Sequence, residues 1–368
     1  MQLVNTGRDN LLRPLQTVTG IVERRLTLPI LANVLIRKDG SAVTFLSSDT
    51  EVQITTHSDV GKGEDRVETT VAAQKLLDIL RSLPDSADVS LTLAGKRLTV
   101  QSGRSRFALQ TLEAADFPLV NEVEEHTIRL ELPQRALKNL LGMVHFAMAQ
   151  KDLRYYLNGI LLITEGNTLS AAATDGHRLA FAQIDIDSGY ERNEVIVPRK
   201  TVLEMQRLLD ESDNTVTVEI SGTQIRFSFN ETVLISKLVE GKFPDYTRVI
   251  PKGYKNRLEI SRDVLQRALQ RAAIMTTEKS RGVRCIVDAE GLKISSTNTE
   301  QEEAFEEMEL TYTGDEIDIS FNIAFLLDAV TSHKDEYVTI EFGDSSSSAL
   351  ITLPSSPSFR YVVMPMRM

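Results

Sequence analysis

The 368-residue sequence has one cysteine, no tryptophan and five histidines. A single cysteine excludes an intramolecular disulfide and cannot complete a zinc site of the usual ligand number. Cys285 lies in the apolar segment GVRCIVD, which predicts a buried core thiol. The histidines form neither an HExxH motif nor a paired Cys/His spacing. We therefore expect no metal and no cofactor.

Long apolar runs are also missing. No segment approaches the roughly 18 apolar residues that a membrane-spanning helix needs. The first residues, MQLVNTGRDN, lack the basic region and apolar stretch of a secretory signal. Neither GxxxxGK[ST] nor a strand-linked GxGxxG occurs, so we expect no ATP hydrolysis by the chain itself. These absences predict a cytoplasmic protein without a membrane partner.

What the sequence does contain is a threefold repeat. A helix-like segment recurs at intervals of 126 and 128 residues, as GRDNLLRPLQTVTG, PQRALKNLLGMVHFA and SRDVLQRALQRAAI from Gly7, Pro133 and Ser261. A second such segment recurs in the same order, as VAAQKLLDILRSL, VPRKTVLEMQRLL and ISFNIAFLLDAV. A unit of this length is large enough to be a domain with its own core. We predict three tandem domains of one fold over residues 1–125, 126–250 and 251–368.

Between these helices the chain alternates apolar and polar residues, as in VTFLSSD, VSLTLAG, TVTVEIS and YVTIEFG. A period of two indicates half-buried strands, and short turns such as AGK and SGR leave no room for parallel crossovers. Each domain is therefore predicted to have two helices and about eight antiparallel strands. This is an α+β fold whose helices cover one face of the sheet.

Charge is distributed unevenly along the chain. The whole sequence has 41 Lys and Arg against 52 Asp and Glu, a net charge of −11. The six predicted helices (8–19, 73–82, 133–147, 199–210, 262–273 and 321–331) reverse this balance, with twelve basic and six acidic residues. A basic helical surface in an acidic chain suits a polyanion bound through its phosphates, although ordinary solvated helix faces are the alternative. The basic residues are Arg8, Arg13, Lys75, Arg81, Arg135, Lys138, Arg199, Lys200, Arg207, Arg262, Arg267 and Arg271.

Two further segments carry opposite charges. EQEEAFEEME at 300–309 is acidic, and GKRLTVQSGRSRFAL at 95–109 is basic with apolar Phe107 and Leu109. If the first domain of one chain met the third domain of another, these charges would surround an apolar contact. Such a head-to-tail contact closes a ring when its rotation permits.

The motifs LPILANVLI (28–36), GRSRFAL (103–109), RYYLNGILL (154–162), ATDGHRLAF (173–181), SKLVEGKFPDY (236–246) and YVVMPMRM (361–368) identify a resemblance over the whole length. The chain resembles the bacterial DNA polymerase III β subunits, the replicative sliding clamps. The resemblance implies a head-to-tail homodimer, a ring of six domains whose twelve helices line a hole around double-stranded DNA. Retention would come from enclosure, and sliding from weak phosphate contacts. The implied subunit contact sets Arg97, Arg104, Arg106, Phe107 and Leu109 against Ile274, Met275, Glu300, Glu302, Glu303 and Glu306.

The resemblance also implies two binding sites. The DNA contacts are Arg25, Tyr155, Tyr156, Arg199 and Lys200, with Lys151 at a position where the family often has Gln. A pocket between the second and third domains would receive short peptides from the replicative polymerase catalytic subunit, other polymerases and repair proteins. Its expected residues are Leu157, Thr174, Gly176, His177, Arg178, Leu179, Pro244, Arg248, Val249, Phe325, Ser346, Ser348, Val362, Val363, Met364, Pro365, Met366, Arg367 and Met368. Phe325, Ser346 and Met368 replace the usual Tyr, Val and Leu. Which peptides the pocket prefers is therefore not fixed by the resemblance.

Two other interpretations compete with a clamp. A hydrolase would need a nucleophile beside an oriented base, and Asp175 and His177 in ATDGHRL have no nucleophile elbow nearby. A non-ring scaffold would bind protein motifs as a monomer. We expect no catalytic residue, and loading of a closed ring by a separate ATP-driven clamp loader.

Overall fold

The computed structural model describes residues 1–22, 28–123, 125, 127–277 and 280–367. The contacts among them divide the chain into two compact units. Unit 1 comprises Met1–Arg135 and Leu203–Leu238, and unit 2 comprises Ala136–Val202 and Val239–Met368. The expected central domain, 126–250, thus contributes to both units.

Six α-helices lie in the described residues, at the positions that the repeat predicts. They are α1 (Asp9–Val18), α2 (Ala73–Ser82), α3 (Gln134–Gly142), α4 (Arg199–Leu208), α5 (Arg262–Ala273) and α6 (Ile323–Thr331). In α1 the buried residues Leu11, Leu12, Leu15 and Val18 follow the spacing of one helix face. The prediction of a helix as far as residue 147 is wrong, because α3 ends at Gly142 and a separate 3₁₀ turn covers His145–Ala147.

The described residues also form 22 strands, and every pairing between them is antiparallel, as predicted. The first domain contributes β1 (Gln2–Gly7), β2 (Asn33–Asp39), β3 (Ala42–Ser48), β4 (Val52–Ser58), β5 (Arg66–Ala72), β6 (Asp88–Ala94), β7 (Arg97–Ser102) and β8 (Ser105–Leu112). The next strands are β9 (Ile128–Pro133), β10 (Gly159–Thr174), β11 (Arg178–Pro198), β12 (Thr215–Ile220), β13 (Gln224–Phe229) and β14 (Thr232–Lys237). The last are β15 (Asn256–Ser261), β16 (Gly282–Asp288), β17 (Gly291–Thr297), β18 (Glu303–Glu309), β19 (Ile317–Asn322), β20 (Tyr337–Phe342), β21 (Ala349–Leu353) and β22 (Ser356–Val363).

Unit 1 contains a 12-stranded sheet in the order β1-β6-β7-β8-β5-β2-β3-β4-β14-β13-β12-β9. The ladder between β14 and β4, from Thr232↔Thr56 to Ser236↔Val52, joins strands that lie far apart in the sequence. Main-chain hydrogen bonds therefore place β9 and β12–β14 in unit 1.

Unit 2 contains a six-stranded sheet, β10-β11-β22-β21-β20-β15, and a four-stranded sheet, β18-β17-β16-β19. The hairpin of β10 and β11 is long, with 16 and 21 residues. Four β11 residues pair with β22, from Arg178↔Val363 to Phe181↔Arg360. This ladder joins the middle of the chain to its C-terminal strand and positions the cavity described below.

Three of the basic helix residues have a structural role that the sequence reasoning missed. Arg8, Arg135 and Arg262 stand 127 residues apart, at or beside the start of α1, α3 and α5. Their backbone N–H groups donate to the carbonyls of Ala87, Ser212 and Glu336, at 2.8, 3.1 and 2.8 Å. Their guanidinium groups bind the same loops, through Asp85, Asp213 and the carbonyl of Asp335. A basic surface was predicted from these residues; each instead binds a neighbouring loop, although Arg135 remains exposed.

Candidate functional site

An apolar cavity of about 220 Å³ lies within unit 2. Its lining combines β10, β11, β22 and the segment 243–249, and consists of Arg154, Leu157, Thr174, Gly176, Arg178, Leu179, Phe243, Pro244, Tyr246, Val249, Val362 and Met364. Nine of these residues belong to the predicted peptide pocket. The size suits a few apolar side chains of a peptide better than a drug-sized ligand, whose pockets are typically about 300–1,000 Å³.

The turn between β10 and β11 shapes one wall of the cavity. The Asp175 carboxylate accepts hydrogen bonds from the backbone N–H groups of His177 and Arg178, at 2.9 and 3.1 Å. Gly176 has a φ of 91°, and a Cβ there would lie 3.3 Å from a guanidinium nitrogen of Arg154. A side chain at Gly176 would strain the turn and crowd Arg154. The Asp175 carboxylate also binds Arg178 Nε at 3.1 Å, so its observed bonds support the turn and do not orient a catalytic imidazole.

Arg178 is the most heavily bonded side chain of the cavity wall. Besides Asp175, it binds the Asp328 carboxylate and donates to the Phe146 carbonyl at 2.6 Å. Its guanidinium carbon lies 4.3 Å from the centre of the Phe325 ring. Burial alone would lower the pKa of Arg178, but Tyr361 and Asp328 outweigh this effect and raise it. Arg178 is therefore a fixed cation that joins β11 to α6 and supports the wall.

Three lining residues were missed by the sequence reasoning, although two of them lie in the motif SKLVEGKFPDY. Phe243 is buried with Leu161, Ile163, Ala172 and Ile196. Tyr246 stacks on Phe181, with ring centroids 5.3 Å apart and planes at 15°. The third, Arg154, binds Asp152 through Nε at 3.0 Å. Aromatic residues next to Pro244 were the available signal for the first two.

The other predicted pocket residues that the structure describes do not line the cavity. The His177 carbonyl accepts from Met364 N–H at 2.9 Å, and Met366 N–H donates to the Ser320 carbonyl at 2.7 Å. Phe325 contacts the lining residue Arg178, whose guanidinium lies over its ring.

Ser346 is exposed and binds Asp344, whose pKa this contact lowers to about 2. Arg248 pairs with Asp245 at 2.8 Å. Val363 is buried, Ser348 and Pro365 are half-buried, Arg367 is exposed, and Met368 lies outside the described residues.

The predicted DNA contacts separate into exposed and internally bonded residues. Lys151 is exposed, and so is Tyr155, at 73%. Tyr156 instead packs against the Phe243 cluster, and Arg199 donates to the Met148 carbonyl at 3.3 Å. Lys200 is half-buried, and Arg25 lies outside the described residues. Lys151 and Tyr155 are thus the exposed members of this set among the described residues.

The two segments predicted to meet between subunits are sheet edges. β8 pairs with β7 along its length, but with β5 only through Thr111 and Leu112. Residues 105–110 of β8 therefore have no second partner strand in the described part of unit 1. In unit 2, β18 is the end strand of its sheet. Both edges could accept another strand.

Side chains along β18 alternate between two faces. Glu303, Phe305 and Glu307 are exposed, and Phe305 is 64% exposed, which the sequence reasoning missed. Glu306 faces α5 and binds Arg271, with Nε–Oε1 at 2.8 Å. The Glu306 carboxylate therefore already has a cationic partner within the chain, and this pair lowers the pKa of Glu306. Glu306 and Glu303 were predicted to act together, but they lie on opposite faces of the strand.

The remaining contact residues are positioned around these edges. Arg97, Arg104 and Arg106 are exposed, while Phe107 and Leu109 are half-buried. Ile274, just after α5, is 72% exposed, and Met275 follows it. Asn298 binds Glu302 through its side chain at 2.5 Å and accepts from the Glu300 N–H at 2.9 Å. The basic and acidic members therefore lie at or beside β8 and β18, respectively.

Comparison with known proteins gives the class of fold. Models of the N-terminal, central and C-terminal domains of the DNA polymerase III β subunit match residues 2–121, 131–245 and 247–367. The chain is similar to the crystal structure of the DNA polymerase sliding clamp from Pseudomonas aeruginosa, with 42% identity and a TM-score of 0.94. The match covers the full length of this chain and of that clamp. The fold is that of a three-domain sliding clamp. A clamp from the same organism bound to griselimycin has a TM-score of 0.95 at 42% identity.

The sequence relatives agree. The Beta sliding clamp of Escherichia coli K12 is 44% identical over 361 residues, and that of Vibrio cholerae is 40% identical, each with 98% of both chains covered. The chain belongs to the DNA polymerase III β-subunit family, whose members are non-catalytic processivity factors. No described helix is long and apolar enough to cross a membrane.

Proposed function

We propose that two copies of the chain associate head to tail into a closed ring that encircles duplex DNA and tethers a DNA polymerase. The observation that carries the ring is the pair of open sheet edges, basic at β8 and acidic at β18. Main-chain hydrogen bonds across two such edges would extend one sheet into the other, and their charges would favour the head-to-tail orientation. Both edges in one chain allow two identical contacts, which close a dimeric ring.

The cavity in unit 2 is the proposed binding site through which the ring tethers the polymerase. Its lining is mainly apolar, and Met364 supplies an adaptable side chain at the wall. A short peptide with apolar anchor residues fits this chemistry. We propose that the replicative polymerase, other polymerases, repair proteins and the clamp loader use such peptides. The place of action would be the cytoplasm, where the DNA is replicated.

Weak DNA contacts suit a ring that slides. Exposed Lys151 and Tyr155 offer one cation and one aromatic ring, and Arg13, Lys75, Arg81 and Arg267 are exposed on helices without an ion pair among the described residues. Screened contacts of this kind bind phosphates without reading base sequence.

The deciding experiment measures retention on nicked circular plasmid and on the same plasmid after linearisation, following loading by the cognate loader with ATP. Retention on the circle and rapid loss from the linear form are the expected result, because a ring leaves DNA only at an end. Equal retention on both forms, with a loader shown to be active, would identify ordinary surface binding. A monomeric scaffold would likewise show no difference between them.

A further inference from the structure

We infer that a second, basic groove in unit 2 receives the acidic flank of a peptide whose apolar end occupies the cavity. This inference rests on the proposed peptide tether and assigns a charge preference to it. The groove has a volume of about 510 Å³, and Ile250, Lys252, Arg257, Thr339, Glu341 and Arg360 are among its lining residues. It lies on the six-stranded sheet, between the segment 250–253 and the β21–β22 turn at 354–355.

The groove has excess positive charge in an acidic protein. Lys252 and Arg257 are exposed, and neither forms an ion pair with a carboxylate among the described residues. Arg360 donates to the carbonyls of Pro357 and Phe359, which orient its guanidinium without neutralising it. Three cations therefore face a lining whose acidic member is Glu341. This contrasts with Arg129, Arg192 and Arg284, each of which has a carboxylate partner.

The groove adjoins the apolar cavity. Val249 lines the cavity, and the next residue, Ile250, lines the groove. Leu350 of the groove pairs in register with Val362 of the cavity, and both are packed with Leu179. An extended peptide advances about 3.3 Å per residue, so a flank of a few residues would pass from one site to the other. This continuity favours a peptide carboxylate over a DNA phosphate as the anion.

The test uses the full-length protein and two fluorescent peptides with the same apolar anchor, one flanked by Glu-Asp-Glu and the other by Gln-Asn-Gln. Flanks are placed before the anchor in one series and after it in another. We expect the acidic peptide of one series to bind about fivefold more tightly, from one or two partly exposed charge pairs. The double substitution Lys252→Gln with Arg257→Gln should remove this preference and leave the neutral peptide unchanged. Lys255→Gln, in the same exposed segment but outside the groove lining, is the matched control.

The outcomes distinguish this inference from the proposed function. If both peptides bind equally well in both series, the groove has no acidic preference, whereas the peptide tether stands. If neither peptide binds, the tether and the groove assignment both fail. If the double substitution shortens retention on circular DNA without changing the peptide preference, the groove serves DNA phosphates and the inference is overturned.

Discussion

The guanidinium of Arg178 binds the carboxylate of Asp328, 150 residues further along the chain. The contact joins the start of β11 to α6, and Tyr361 on β22 donates to the Phe325 carbonyl of the same helix at 3.0 Å. The peptide cavity is therefore supported by a polar cluster behind its wall as well as by apolar lining residues. Loss of this cluster should affect both the stability of unit 2 and the shape of the cavity.

Asp328→Asn tests this support. Arg178 has little solvent exposure, and removing the Asp328 carboxylate leaves its charge compensated, among the described residues, by Asp175 alone. Asp328 is itself more than a third exposed, and water will screen part of the effect. We expect a loss of about 1–2 kcal/mol in the free energy of unfolding, with weaker peptide binding. Urea unfolding and fluorescence anisotropy measure the two quantities.

Asp318→Asn is the matched control, because Asp318 pairs with Arg284 on the surface at 2.5 Å. That substitution should change the stability by no more than about 0.5 kcal/mol. Equal effects from Asp318→Asn and Asp328→Asn would show that Arg178 has no special role at the cavity.

Charge reversal at β8 tests the subunit contact. Arg104→Glu with Arg106→Glu should place like charges opposite the exposed face of β18 and raise the dimer dissociation constant by at least about tenfold, more at low salt. Analytical ultracentrifugation measures this constant. Arg66→Glu is the control, because Arg66 is also exposed in unit 1 but pairs with Asp39 within the chain. An unchanged dimer in the double variant would remove these arginines from the contact.

The two faces of β18 predict different consequences for neighbouring glutamates. Glu303→Lys should weaken the dimer, since its exposed side chain is free to face β8. Glu306→Gln should mainly lower the stability of the subunit, by less than about 1 kcal/mol, because it loses the pair with partly exposed Arg271. Sedimentation and thermal unfolding of both variants separate the two effects. If Glu306→Gln dissociates the dimer as strongly as Glu303→Lys, the faces have been misassigned.

Sequence periodicity was sufficient for the positions of the helices and the antiparallel strands, though not for the end of α3, because alternating burial and helix spacing are local properties. It did not predict that the middle of the chain would share sheets with both units, because the β14–β4 and β11–β22 ladders depend on long-range pairing. The cavity residues came mainly from the family resemblance. Arg8, Arg135 and Arg262 show why charge alone misled: a basic residue at a helix start and a free basic residue look the same in a sequence.

Cys285 supplies a probe of the C-terminal core. The thiol is buried on β16, and burial raises its pKa to about 12, whereas an exposed thiol titrates near 9. A folded pKa above the unfolded value favours the native state below about pH 9, and this contribution is lost as the pH rises toward 12. At pH 8 the native protein should react with a thiol reagent only through unfolding. Reaction at the rate of a free thiol in native buffer would show that β16 is accessible.

Deletion of residues 364–368 separates peptide binding from ring formation. The deletion removes Met364 from the cavity wall, together with two backbone hydrogen bonds, from Met364 N–H to the His177 carbonyl and from Met366 N–H to the Ser320 carbonyl. The β22 ladder ends at Val363 and remains. We expect polymerase-peptide binding to fall below detection in fluorescence anisotropy, while ultracentrifugation shows an unchanged dimer. Met364→Leu keeps the apolar volume and should retain most of the affinity. Native affinity in the truncated protein would mean that the C-terminal segment is not a wall of the binding site.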